Sequence, residues 1–272
     1  MTINMIAVIV IFACCILYVL STRCRCGASR LGSFYGWKYA HRGLHGKGIP
    51  ENSMGAFRRA RDCGYGVELD VHLMADGNLA VIHDSDLLRT TGKEGRIEDL
   101  ATDDLQQYCL EGTAETIPTF VDVLAMFEGR VPLIVELKTA GNNHAELCQR
   151  ACAVLDNYDG IFCLESFDPR CIHWLKKNRP DLIRGQLTEN FFKSKTSKLP
   201  WILKLLMTNQ MLNFLTLPDF VAYKFSDRQH ISDKIVRLLW KTPSVTWTIL
   251  SQNELDIAVS ENRVPIFEGF EP

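Results

Sequence analysis

The sequence predicts an α/β chain: a closed (β/α)8 barrel preceded by a single N-terminal transmembrane helix. Eight apolar strand-like runs follow one another between residues 37 and 269, separated by helix-forming stretches. Strands that are apolar on both faces and joined through helices make parallel sheets, and eight in succession close into a barrel. The length of 272 residues suits one such unit. Before the first strand, Ile3 to Leu20 (INMIAVIVIFACCILYVL) carries no charge.

That leading run is 18 residues long, roughly 27 Å of helix, enough to cross a hydrocarbon core. No positive n-region precedes it and STRCRC follows it, so an uncleaved anchor over residues 1–22 is expected. Arg23, Arg25 and Arg30 follow the run and no basic side chain precedes it. The positive-inside rule therefore predicts a single-pass membrane protein with its C-terminal side in the cytoplasm. Residues 23–36, including GASRLGSFYG, read as a juxtamembrane linker, and 37–272 as the barrel domain.

The strand-like runs are 37–41, 66–71, 132–138, 160–167, 182–188, 220–225, 244–250 and 264–269. A further run, 79–84, follows the second after the turn Ala75-Asp76-Gly77-Asn78, which has hairpin chemistry, so it reads as an accessory strand beside the barrel. Between the fifth and sixth runs, Trp201, Ile202, Leu205, Leu206 and Leu212 recur at helical spacing beside Lys193, Lys195, Lys198 and Lys204. This is either an ordinary barrel helix with a buried face or an interfacial helix for an anionic lipid surface.

Composition excludes some classes. The net charge of −2 leaves no electrostatic footprint for nucleic acid. None of the ten cysteines forms a C-x-x-C pair, so zinc-finger spacing is absent. Cys63, Cys109, Cys148, Cys152, Cys163 and Cys171 read as buried, reduced thiols in helices or strands.

The stretch from Ala40 to Asp84 carries the chemistry. His41 and His83 flank the acidic strand Glu68-Leu69-Asp70, and Glu136 and Lys138 repeat its i, i+2 spacing on the next stave. Residues two apart on a strand share a face, so all four side chains on the two strands point into one barrel mouth. Grouping Glu68, Asp70 and Glu136 there is costly without a cation, and oxygen donors suit Mg²⁺ or Ca²⁺. The competing reading is a salt-bridged interior involving Lys138 and Arg42. Cleaving a phosphodiester requires charge stabilisation, which a metal, Lys138 and Arg42 supply. It also requires a base and an acid, which two histidines supply. His45, His72, His144, His173 and His230 read as structural; His72 faces away from Glu68 and Asp70.

The pieces AHRG (40–43), PENS (50–53), ELDVHLMADGNLAVIHD (68–84), LLRTTG (87–92), IPTF (117–120), VELK (135–138), ESF (165–167) and TWT (246–248) occur in an order that closely resembles the glycerophosphodiester phosphodiesterase family. The resemblance implies a TIM barrel with one divalent metal. It implies acid/base roles for His41 and His83 and metal roles for Glu68, Asp70 and Glu136. Arg42 and Lys138 would hold phosphate, and Trp247 would pack against glycerol or the head group. Glu51 and Asn52 would lie beside the site, with Glu51 grouped among the substrate-binding residues. The implied reaction converts a glycerophosphodiester and water into an alcohol and glycerol 3-phosphate. The chain departs from the family at its end, VPIFEGFEP, so no closing-loop role passes to Glu268.

Several alternatives stay open. Attack by a substrate hydroxyl would give a cyclic phosphate, as in phospholipase C-like cleavage, and a lysolipid would make the activity that of a lysophospholipase D. A membrane-tethered binding protein with a silent site is the reading of another class. Such proteins are expected to lose a histidine or a metal acid, and here the set is complete.

Overall fold

Nine strands form one sheet among the described residues of this computed structural model, which are 3–25, 28–195 and 197–272. They are β1 (Tyr39–His41), β2 (Gly66–Leu73), β3 (Leu79–Val81), β4 (Leu133–Lys138), β5 (Phe162–Ser166), β6 (Arg184–Thr188), β7 (Phe220–Lys224), β8 (Ser244–Ile249) and β9 (Val264–Phe267). The order around the sheet is β1-β9-β8-β7-β6-β5-β4-β2-β3, and β1 also pairs with β2. Eight parallel strands thus close on themselves, and β3 stands outside the circle, antiparallel to β2. The eight expected staves and the accessory hairpin strand are all present.

Helices cover the outside, and several start where the sequence supplies a cap. Ser53, Thr119, Asp168 and Ser251 each accept a hydrogen bond from a backbone N–H in the first turn of the helices Met54–Asp62, Phe120–Phe127, Pro169–Asn178 and Gln252–Ser260. Their buried faces pack on the outward side chains of the staves, such as Leu69, Val71, Val135, Leu137 and Leu164.

The interior has an apolar lower part. Tyr39, Ile134, Cys163, Phe220, Ala222, Val245, Val264 and Ile266 form one buried cluster inside the barrel. Period-two alternation then places His41, Glu136, Glu165, Lys224, Trp247 and Glu268 above them on the same faces of the same staves or at their ends. Gly185 leaves room for this packing, because a Cβ there would lie 2.1 Å from the Phe220 ring.

The segment expected to be a linker is part of this core. Ala28–Phe34 forms a 3-10 helix whose Leu31 and Phe34 are buried and join the interior cluster. The lower end of a barrel needs apolar cover, and two large side chains here supply it.

The expected transmembrane anchor, and with it the single-pass topology and cytoplasmic placement, is overturned. Among the described residues, no helix is long and apolar enough to cross a membrane. A helix does form at Ile3–Ser21. Its end is tied into protein: the Trp240 indole N–H donates to the Thr22 hydroxyl at 3.0 Å, and Arg25 N donates to Pro218 O at 3.0 Å.

Two further expectations change. Cys148, Cys152, Cys163 and Cys171 are buried free thiols, but Cys63 and Cys109 are exposed. They sit just past a helix end and just before a short turn, where the apolar period has stopped. The helix Trp201–Thr208 does not bury the face expected of a barrel helix: Trp201, Ile202 and Leu205 are exposed, and Thr208 is its buried residue.

Gly185→Ala is expected to destabilise the domain by about 1–3 kcal/mol through overpacking against Phe220. Urea denaturation of the variant beside the wild type checks this; an unchanged midpoint would show that the ring moves aside freely.

Candidate active site

Glu68 and Asp70 rise from β2 and Glu136 from β4, and the parallel register sets Asp70 directly beside Glu136. All three are buried, and one ligand oxygen from each lies within 4.8 Å of the others. Lys138 follows Glu136 by two residues on the same face. Its Nζ stands 2.8 Å from Glu136 Oε2 and 3.0 Å from Asp70 Oδ1. A fourth carboxylate, Glu165 on β5, pairs in register with Glu136; it is buried and its Oε2 has no hydrogen-bond partner.

The electrostatics are uneven. Burial, then the charges of Asp70 and Glu136, push Glu68 well above the usual carboxylate range. Burial likewise raises Glu136 against the pull of Lys138, and raises Glu165. Burial also works to raise Asp70, but Lys138, His83, Arg42 and the Asn52 amide outweigh it and hold Asp70 low. Lys138 is raised because the neighbouring Asp70 and Glu136 overcome its own desolvation. One ammonium does not neutralise this many carboxyl groups. Three converging buried oxygens of this kind fit a hard divalent cation.

Two loops hold the cationic side of the site. Arg42 and Asn52 both take left-handed backbone conformations, at φ 55° and 52°. Asn52 N donates to Arg42 O at 2.9 Å, which pins one loop to the other. The Asn52 amide donates to Asp70 Oδ2 at 2.8 Å, and Arg42 N donates to Glu68 Oε2 at 3.2 Å. Arg42 Nη1 donates to Glu51 Oε1 at 2.9 Å, and Arg89 donates to both Glu51 oxygens at 2.5 and 3.2 Å. Glu51 therefore lies between two guanidiniums.

The histidines stand at β1 and just past β3. His41 Nδ1 lies 2.7 Å from Glu268 Oε2, and its Nε2 lies 3.9 Å from Glu68 Oε2. Burial lowers the His41 pKa against the opposing effect of Glu268. His83 Nδ1 lies 2.6 Å from Asp84 Oδ1, and Asp84 also pairs with Arg89. His72 points to the other side of β2, as expected. It is bonded to Glu98 at 2.9 Å and to the His83 carbonyl at 3.2 Å.

Trp247 donates its indole N–H to Ala222 O at 3.2 Å and meets Phe167 edge-on at 5.5 Å. It lines a cavity of about 860 Å³ together with His83, Lys138, Phe167, Phe191 and Lys224. The predicted residues thus converge on one rim of the barrel.

The glycerophosphoryl diester phosphodiesterase family model matches residues 41–239, most of the chain. The chain belongs to that family. A glycerophosphodiester phosphodiesterase of Caldanaerobacter subterraneus subsp. tengcongensis is 31% identical over 158 residues, covering 54% of this chain and 65% of the relative. A second enzyme of that name, from Bacillus altitudinis, is 39% identical over 107 residues, covering 37% of this chain and 43% of the relative. The matches thus span less than two thirds of these relatives' own length. The fold is shared with an Oleispira antarctica phosphodiesterase solved with sn-glycerol-3-phosphate: the TM-score is 0.70 at 22% identity, over 87% of this chain and 94% of that one.

Sequence reasoning gave no role to Glu268, Glu165, Asp84 or Arg89 and read His45 as structural. Glu268 and Glu165 carried one usable signal, an acid at or just past a strand end.

Glu98 is pulled down to about 2: burial works to raise it, but His72 and Ser85 outweigh that. Its contribution is full above about pH 4.5, the ordinary glutamate value, and is lost as pH falls through about 2. Glu98→Gln is therefore expected to lower stability at pH 7 and to show a shrinking deficit on acidification. Thermal melts across that pH range check the trend; a constant deficit would contradict it.

Proposed function

We propose that this family member hydrolyses glycerophosphodiesters to an alcohol and glycerol 3-phosphate. One observation carries the reading: two histidines, each engaged through Nδ1 by a carboxylate, border a buried three-carboxylate cluster at the mouth of a barrel.

Glu68, Asp70 and Glu136 would hold one divalent cation, Mg²⁺ or Ca²⁺. When bound, that ion supplies positive charge to the phosphoryl oxygens. Lys138 and Arg42 add fixed charge from two sides and orient the phosphate. Trp247 and Phe167 offer an apolar wall for the glycerol or head group. One of His41 and His83 takes a proton from the attacking water as its oxygen bonds to phosphorus. The other gives a proton to the alkoxide as the P–O bond breaks, so the proton count balances. Glu51 serves the phosphate indirectly by holding Arg42.

The cavity supports a second reading of the substrate. Open to the surface and walled by Phe167, Phe191 and Trp247 among lysines, it leaves room for a lysolipid as an alternative diester.

His41→Ala and His83→Ala are each expected to lower kcat by about 10²–10⁴-fold. Cation binding, measured by calorimetry, should persist in both. Near-normal release of glycerol 3-phosphate by either variant would remove that histidine from the acid/base pair. Chelation is expected to abolish release, and Mg²⁺ or Ca²⁺ to restore it. Full activity after exhaustive chelation would exclude the metal role.

A further inference from the structure

We infer that Glu268 is the positioning residue of His41, fixing its tautomer and turning Nε2 toward the carboxylate cluster. The inference rests on the acid/base reading of His41 given above.

Glu268 is the first residue past β9, and β9 is the stave beside β1. The register pairs Ala40 with Phe267, so His41 and Glu268 rise side by side from adjacent parallel strands. The Glu268 backbone is itself fixed, with its N–H donating to Ile249 O on β8 at 3.0 Å. The two carboxylate oxygens face different imidazoles. Oε2 lies 2.7 Å from His41 Nδ1, and Oε1 lies 3.4 Å from His45 Nε2. These two imidazoles hold Glu268 well below the ordinary carboxylate range.

A carboxylate can only accept, so the nitrogen it meets carries the proton. His41 in its neutral form has one N–H, and the 2.7 Å contact places it on Nδ1. Nε2 is then left bare, 3.9 Å from Glu68 Oε2, on the side where the phosphate would lie. Without Glu268 neither the tautomer nor the ring angle is specified. His83 has the matching arrangement with Asp84, its own sequence neighbour. For His41 the corresponding carboxylate lies 227 residues away. His45 lies on the far side of Glu268, its Nε2 3.4 Å from Oε1.

The test uses the full chain with ¹⁵N-labelled histidine and glycerophosphocholine as substrate. Glu268→Leu removes the acceptor and the charge at similar side-chain size; Glu268→Asp keeps the charge on a shorter arm. Long-range ¹H–¹⁵N spectra, assigned with His41→Gln, report the tautomer without needing turnover. The wild type is expected to show Nδ1–H at His41, and Glu268→Leu to move the population toward Nε2–H. Its kcat should fall by about 10²–10⁴-fold with KM changed little, and Glu268→Asp should recover part of the loss. An Nε2–H His41 in the wild type, or an unchanged tautomer and kcat in a folded Glu268→Leu, would overturn the inference. A wild type with the expected tautomer but no glycerophosphodiester turnover would instead remove the proposed substrate and leave the positioning intact.

Discussion

Three carboxylates buried within reach of one another create the constraint that the rest of the site answers. Glu68, Asp70 and Glu136 repel one another in a low-dielectric rim, and Lys138 is the cation closest to two of them. Burial raises Glu68 and Glu136, while Asp70 is held low by the positive groups around it. A chain with no chemical use for this arrangement would do better with apolar side chains at the same positions. The strain is tolerated because the surrounding hydrogen bonds are in place: the Asn52 amide on Asp70 and the Arg42 N–H on Glu68.

The barrel makes that cluster possible by separating floor from rim. Below, large apolar side chains fill the interior, including Leu31 and Phe34 from the N-terminal 3-10 helix. Above, the same faces of the same staves change to acids, lysines, Trp247 and His41. The apolar floor bears the stability of the fold, so the rim is free to hold groups that disfavour it. The cationic loops then extend outward as a chain of ion pairs, from Asp70 through Arg42 and Glu51 to Arg89 and Asp84. That chain ends on the residue that engages His83, so the two sides of the site are mechanically joined.

Much was determined by the sequence alone. The eight staves and the β3 hairpin were legible because period-two patterning and turn residues are local properties. The pairing of Glu68 with Asp70 and of Glu136 with Lys138 on shared faces followed from the same period, and the motif order carried the family. Tertiary structure alone decided the rest. Glu268 meets His41 because barrel closure puts the last stave against the first, a contact across 227 residues that no local signal encodes. Glu51 was grouped with the substrate, and its pairing with two arginines becomes visible only when two loops meet. The 23–36 segment read as a linker because its composition is that of one, but an open barrel floor took up its two large apolar side chains. The leading apolar run was read as a span from hydropathy; whether a helix is long enough and free enough to cross a membrane depends on where it stops and what its end packs against.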